Sequence, residues 1–477
     1  MTEPCDLSAV EARRLIGCKK LSPVELLDSN LSRIVATNPA VNSIVAIDEA
    51  DARAAAKEAE QAVMRGEDLG LLHGLPIGVK DLQDTAGMRT TYGSLLYKGH
   101  VPDADNSAVA RVRGEGGIIL AKTNTPEFGA GANTINKVYG ATGNPFDPVK
   151  TCAGSSGGSA VALALGQVPL ATGSDYGGSL RTPAAFCGVA GFRPSPGVVP
   201  GETRAALLVP FAVSGPMGRT IEDAHLLLMA QADVDKGDPF SSNDCLSLPP
   251  KLGNVDLGSV RAAFSTDLGC APIDREIAKV FKARTSTFRS VFSEAIDRDP
   301  DMANVHETFE ILRGVYFVAA HRERLEKHRD LLGRNVIDNT DRGLKYSLGD
   351  VAWAHVEQSK IYTRFLEFFE DSDVLICPTA SVSPFPHAQL FIDTMNGEKM
   401  PTYMRWLAIT YALTMALPAA ACIPCGVDHM GMPFGIQVVG PNGSDALVLE
   451  VAHALEQALA TNKETARPIP DWRKLAR

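Results

Sequence analysis

The stretch AGSSGGSAVALALG, residues 153–166, opens on glycines and serines and then turns abruptly apolar, the pattern of a tight loop feeding a buried helix. Such a loop either cradles a phosphate or presents a nucleophile. A phosphate loop of the G-x-x-x-x-G-K-[ST] kind needs a lysine after its glycines to reach the phosphates, and none follows here. A nucleophile elbow, G-x-S-x-G, is matched only loosely by GSSGG, and none of the 10 histidines stands in a recognisable partner motif.

A second serine loop, GSDYGGSLRTPAAFCGVAG (173–191), sets Gly177 and Gly178 directly before Ser179. Two residues without side chains let a substrate carbonyl approach the backbone, and successive N–H groups there can converge on one concavity as an oxyanion hole. An attacking serine still needs a base. Without a histidine, the remaining candidate is a lysine kept neutral by burial. Lys80 ends the apolar run of LHGLPIGVKDLQDTAG (72–87), where a strand would deliver it into the interior, an expensive place for an ammonium. Taken by itself, that stretch fits a strand-end lysine snorkelling to solvent at least as well.

Composition bounds the rest. The chain has 477 residues, 45% of them hydrophobic and 21% charged, which is the make-up of a soluble globular protein with a large core. Its formal net charge of -10 provides no uniform field for nucleic acid or an anionic membrane surface, so neither is expected as a partner. The basic run HRERLEKHRD (321–330) interleaves both signs and reads as a solvated helix face. With no secretory leader pattern, no long apolar span and nine scattered cysteines, among them Cys245, the expected location is cytoplasmic, with reduced thiols.

Along the chain, residues 7–65 carry helical periodicity, with Ser22-Pro23 as a helix start, so about 1–68 reads as a helical arm. From 75 to about 218, short apolar runs such as GGIILAKT and VPLATGSD alternate with glycine-rich turns, indicating an α/β sheet core with functional loops at strand ends. Charged helical patterns dominate between about 270 and 370. DVLICPTA (373–380) and FGIQVVGP (434–441) then read as buried strands, and DALVLEVAHALEQALA as a closing helix. Strands on both sides of the helical stretch favour one domain over 1–477.

Together, GLPIGVKD, AGSSGGSA and GSDYGGSLRTPAAFCGVAGFRPSPG resemble the amidase signature family of serine hydrolases, in wording and in the spacing from Lys80 to Ser155 to Ser179. ILAKTNTPEFG, YGATGNP and SGPMGRTIEDA continue the likeness in order; it is dense over about 70–224 and sparser at ICPTA and IPCG. The resemblance implies a central mixed β-sheet covered on both faces by helices, and a cofactor-free, metal-free hydrolysis of a carboxamide. It implies Ser179 as nucleophile, Ser155 as a bridging serine in a cis peptide, Lys80 as base, and the N–H groups of Tyr176, Gly177, Gly178 and Ser179 as the oxyanion hole. Ser156 would assist by hydrogen bonding. Asp175 and Arg181 would pair to hold the nucleophile loop. Three positions depart from the pattern: Cys152-Ala153 stand where Pro-Gly is common, and Tyr176 stands where Thr or Ile is usual, so its ring is expected to wall the acyl site.

Tyr139, Met404 and Trp406 are pocket candidates, although the aromatics of PTYMRWLAITYALTMALPA (401–419) fit a core equally well. Cys422 and Cys425 form a C-x-x-C without a second ligand pair and read as structural. The expected function is hydrolysis of a small or hydrophobic amide, with esters and carbamates open to the same chemistry. Two alternatives remain. One is the glutamine-hydrolysing subunit of a tRNA-dependent amidotransferase, against which AVSGPM (212–217) lacks the Asp-Gln usual before Gly-Pro; the other is an inactive scaffold with the same fold. A monomer and a homodimer are both compatible with the sequence.

Overall fold

The computed structural model describes residues 3–243, 247–253 and 255–476; Cys245 lies outside them. Eleven strands form one mixed sheet. Its centre is set by Leu170–Asp175 and Val213–Gly218, which pair antiparallel over six residues. On one side Pro76–Lys80 runs parallel to Leu170–Asp175 and to Ile118–Thr123. On the other side, Ala190–Arg193 leads to Ala419–Val427, Pro433–Gly440, Val374–Pro378 and Arg261–Phe264, in that order. The strands expected after the helical stretch thus enter the same sheet as those before it. The parallel pairs put the chain ends of Pro76–Lys80 and Leu170–Asp175 at the same edge, so Lys80 and the loop after Asp175 emerge side by side.

The sheet is covered on both faces, and one strand shows it. In Ala419–Val427, Ala421 and Ile423 pack into the apolar cluster that holds Val448 and Leu455 of the closing helix, Asp445–Ala460. Cys422, between them, points into the cluster built around Ala160–Leu165. Over residues 421–423 the period-two alternation sorts neighbours to opposite layers. Cys425 lies with Ile423, so the two thiols of the C-x-x-C face opposite sides of the sheet and hold no common ion; burial pushes both up to about 12.

Two expectations are corrected here. The N-terminal arm is helical over Ala9–Gly17, Pro23–Val41 and Glu49–Arg65, but the β-branched run at Ile44–Ile47 adds an edge strand against Ile118–Thr123. Ser22 and Glu25 form the reciprocal cap of the second helix. The segment 270–370 is likewise not purely helical. Arg275–Ser286 ends early, and Glu294–Asp297 pairs parallel with Arg261–Phe264 at the opposite edge. In both places a four-residue run is too short to show its period against longer helical neighbours, and an open sheet edge recruits it. The run 321–330 ends the long helix Val305–His328, with Arg322–Glu326 and Glu323–Lys327 pairs on its solvent side and His321 and Leu325 buried. Among the described residues, no helix is long and apolar enough to cross a membrane.

Candidate active site

Lys80 is the last residue of its strand and is completely buried. Its Nζ lies 2.7 Å from Ser155 Oγ, 2.8 Å from Ser156 Oγ and 2.9 Å from Ser174 Oγ. Burial pulls the ammonium down to about 7, with the carboxylate of Asp175 working in the opposite direction. A lysine neutral near physiological pH, ringed by three hydroxyls, is placed to exchange protons with them.

The loop carrying Ser155 and Ser156 enters through a cis Gly154–Ser155 peptide and continues into the buried helix Gly157–Ala164. Its glycines serve close packing rather than anion binding. A Cβ on Gly158 would sit 2.3 Å from the Asn124 backbone nitrogen, so the loop can lie on the strand end beneath it only without side chains. The second serine loop leaves its strand at Asp175 and turns at Gly178, whose φ of +119° and whose contact with Thr410 both forbid a side chain. It then starts the short helix Arg181–Cys187, into which Thr182 N–H donates to Gly178 O at 2.7 Å. The two loops are tied by Ser156 N–H donating to the Ser179 carbonyl at 3.2 Å. Ser155 and Ser156 are buried, Ser179 is partly exposed, and the Ser179 hydroxyl donates to no described group.

Asp175 organises this turn. Its carboxylate accepts from Gly178 N–H at 2.9 Å and Leu180 N–H at 3.2 Å, and pairs with Arg181 and Arg193, all fully buried. Burial alone would raise this carboxyl, but the two guanidiniums hold it well below the usual carboxylate range. Thr410 Oγ1 donates to Gly177 O at 2.7 Å and fixes the other side. This geometry corrects the expected oxyanion set. Gly178 N–H is already committed to Asp175, because its peptide faces the carboxylate below the turn, which leaves the N–H groups of Tyr176, Gly177 and Ser179 without an internal acceptor.

The pocket candidates divide. Met404 is beside the loop, its Cε about 3.6 Å from the point where a Gly177 Cβ would stand, level with Phe309. The Tyr176 ring packs against Phe211, Phe309 and Tyr316. Trp406, in the single turn Arg405–Leu407, has no exposed surface and packs edge-on to Phe385 at 5.5 Å, so it is core, not pocket wall. Tyr139 sits under Arg89 on the Ile135–Ala141 hairpin, with its backbone bonded to Asn42 and Asn136.

Sequence reasoning missed Ser174, Thr410 and Arg193. Only Ser174 carried a signal: it lies one residue before Asp175 in a strand that delivers alternate side chains to one face. Because the Ser174 hydroxyl accepts from Lys80 Nζ at 2.9 Å, removing that acceptor destabilises the ammonium. Ser174→Ala is therefore expected to shift the acid limb of kcat/KM to lower pH by about half a unit to one unit, with the plateau within about threefold of the parent. A pH profile of the purified variant checks this; an unmoved limb would show that Ser174 does not act on the base.

Among the described residues, one group of side chains has the spacing to hold a metal, Glu3, Cys5 and Asp6, and Arg33 already pairs with both carboxylates there.

The Amidase family model matches residues 25–449. An acylamidase of Rhodococcus erythropolis is 32% identical over 467 residues, which cover 98% of this chain and 96% of that protein. A glutamyl-tRNA(Gln) amidotransferase subunit from Gloeothece citriformis is 31% identical, over 95% of this chain and 97% of that one. Among solved structures, a bacterial aryl acylamidase of the amidase signature enzymes superposes with a TM-score of 0.87 at 25% identity, over 98% of both chains. A second amidase gives 0.83 at 28% identity, over 95% of this chain and all of the other.

Proposed function

The chain belongs to the amidase signature family, and on that premise we propose that it hydrolyses a small or hydrophobic carboxamide through an acyl-enzyme on Ser179. The observation that carries this reading is the buried lysine within 2.9 Å of three serine hydroxyls, next to a partly exposed serine with uncommitted backbone N–H groups around it.

The hydrogen bonds support the following roles. Ser156 Oγ donates its own proton to Ser174 O at 3.3 Å, so it must accept from Lys80. Ser174 Oγ accepts the second N–H of a neutral amine. The lone pair is left facing Ser155, at the shortest of the three distances. Ser155 thus gives its proton to Lys80 and takes one from Ser179 as Ser179 Oγ attacks the carbonyl carbon. The negative charge that develops on the carbonyl oxygen meets the N–H groups of Tyr176, Gly177 and Ser179. The relay then runs backwards: Lys80 returns its proton through Ser155 to the departing nitrogen, which could not leave as an amide anion. Water, deprotonated by the same pair, releases the acid.

An apolar acyl or amine portion is supported by the wall of Phe309, Met404 and Tyr176 beside the Gly177 peptide. It is also in keeping with the acylamidase relative and the aryl acylamidase structure. A screen of anilide, primary amide, ester, carbamate and glutamine substrates tests the reading. Turnover of the apolar amides supports it, and turnover of glutamine alone would overturn it in favour of an amidotransferase component. Because side chains and backbone N–H groups account for every step, activity is expected to be unchanged after exhaustive EDTA treatment and dialysis. A loss restored by added zinc would disprove that.

A further inference from the structure

Phe309 and Met404, which stand beside the Gly177 peptide, also border a cavity. Both residues line it, and both approach within about 3.6 Å of a Cβ position on Gly177. Arg313, only 7% exposed, projects into this cavity from the helix Val305–His328. Its Nε donates to Asn339 Oδ1 at 3.0 Å and its Nη2 to Tyr403 Oη at 3.0 Å, while Nη1 donates to no described group.

A buried guanidinium is ordinarily neutralised, as Arg181 and Arg193 are by Asp175. Among the described residues no carboxylate lies within ion-pair distance of Arg313. The two acids that share its cavity are committed elsewhere: Glu310 to Arg405 at 3.3 Å and Asp338 to Arg342 at 2.9 Å. What sustains the charge instead is a set of ring faces, with Phe317, Tyr176 and Phe309 centred 4.6, 5.6 and 5.9 Å from its central carbon. Ring faces and neutral oxygens stabilise a cation without cancelling it. The site therefore keeps one net positive charge and one free donor, beside the Tyr176 ring and behind two side chains, Phe309 and Met404, that also stand against Gly177.

Building on the amidase reading, we propose that Arg313 binds a carboxylate of the substrate, so that the amide this protein prefers carries a carboxylate several carbons from the bond it cleaves. The Phe309, Tyr176 and Met404 wall takes the intervening methylenes, and Arg313 Nη1 takes the anion. Arginine suits this better than lysine because Nε and Nη2 are held while Nη1 presents its protons outward.

Two matched pairs of substrates test it. Hexanamide against the monoamide of adipic acid asks whether the carboxylate belongs to the acyl side. N-acetylhexylamine against the N-acetyl derivative of ε-aminocaproate asks the same of the amine side. The parent enzyme is expected to favour the carboxylate member of one pair by about tenfold to 100-fold in kcat/KM, the size of a charged hydrogen bond, mostly through KM. Arg313→Met should abolish that preference while leaving the neutral member within about threefold, and Arg313→Lys should restore part of it. Equal turnover of both members of both pairs by the parent would overturn the proposal, a result that needs no variant to fold. So would an equal loss on neutral and charged members in Arg313→Met, the mark of a merely structural residue. Failure to cleave any of the four amides would instead refute the hydrolase reading on which this one rests.

Discussion

Ser179→Ala is expected to lower kcat/KM for an amide by about 10⁴-fold or more, which is what loss of the nucleophile costs when the remaining groups act only through it. No neighbouring hydroxyl can take over. Ser155 and Ser156 are buried and engaged with Lys80, and Ser174 is occupied by the same lysine, whereas Ser179 alone combines partial exposure with an uncommitted hydroxyl. The fold should survive, because removing a hydroxyl that donates to nothing leaves no unsatisfied partner, and Ser156 N–H holds the Ser179 carbonyl rather than its side chain. Circular dichroism and thermal melting check the fold, and a fluorophosphonate probe checks the nucleophile: it should label the parent and not the variant. Activity within tenfold of the parent, or undiminished labelling, would mean that another residue forms the acyl-enzyme.

Much of this site was legible in the sequence, and the reason is local. Gly177, Gly178 and Ser179 are contiguous, so the loop that carries Ser179 is written in one word, and Asp175 and Arg181 sit within the same turn they stabilise. The sheet was legible because its inner strands carry short apolar runs, residues 118–121 and the residues either side of Gln437 in Pro433–Gly440 among them, between glycine-rich turns. What was not legible depends on groups distant in sequence meeting in space. Arg193 and Thr410 brace the Ser179 turn from other elements, and Arg313 reaches Tyr176 from a helix whose periodicity says nothing of its target. The orientation of a single peptide was equally hidden: the glycine pair announces a loop that can bind an oxyanion, but only the position of the Asp175 carboxylate decides that Gly178 N–H faces away from it.

The lysine shows the limit most sharply. Two strand-end lysines, Lys80 and Lys122, are both fully buried, and burial lowers both, to about 7 and about 8. Pattern alone does not separate them. Position does: Lys122 Nζ turns to Gln83 O and Thr85 Oγ1, an acceptor-lined pocket without a nucleophile, and Lys80 Nζ turns to the serines. Solvent exposure of Lys80, the bland expectation for a strand end, is excluded by its complete burial.

The consequence is a sharp difference between two substitutions that look unlike in charge. Lys80→Arg keeps a cation in place but cannot lose its proton at any accessible pH, so it removes the base as completely as Lys80→Ala does. Both are expected to lower kcat/KM toward amides by about 10³-fold, within the range of general acid–base catalysis by one positioned group, and to lower it less toward activated esters, whose leaving groups need no returned proton. The pH dependence supplies the second readout. Lys80 must be neutral to accept from Ser155, so in the parent kcat/KM should fall about tenfold per pH unit below about 7 and level off above it. In Lys80→Arg and Lys80→Ala that limb should vanish and leave a flat, low profile, because the group that titrated is either permanently charged or gone. Matched amide and ester substrates followed across pH in both variants decide the matter. Substantial amidase activity in Lys80→Arg with the parent's limb intact would make Lys80 an electrostatic prop, and the same limb would then have to be traced to Lys122, the other lysine that burial has brought near neutrality.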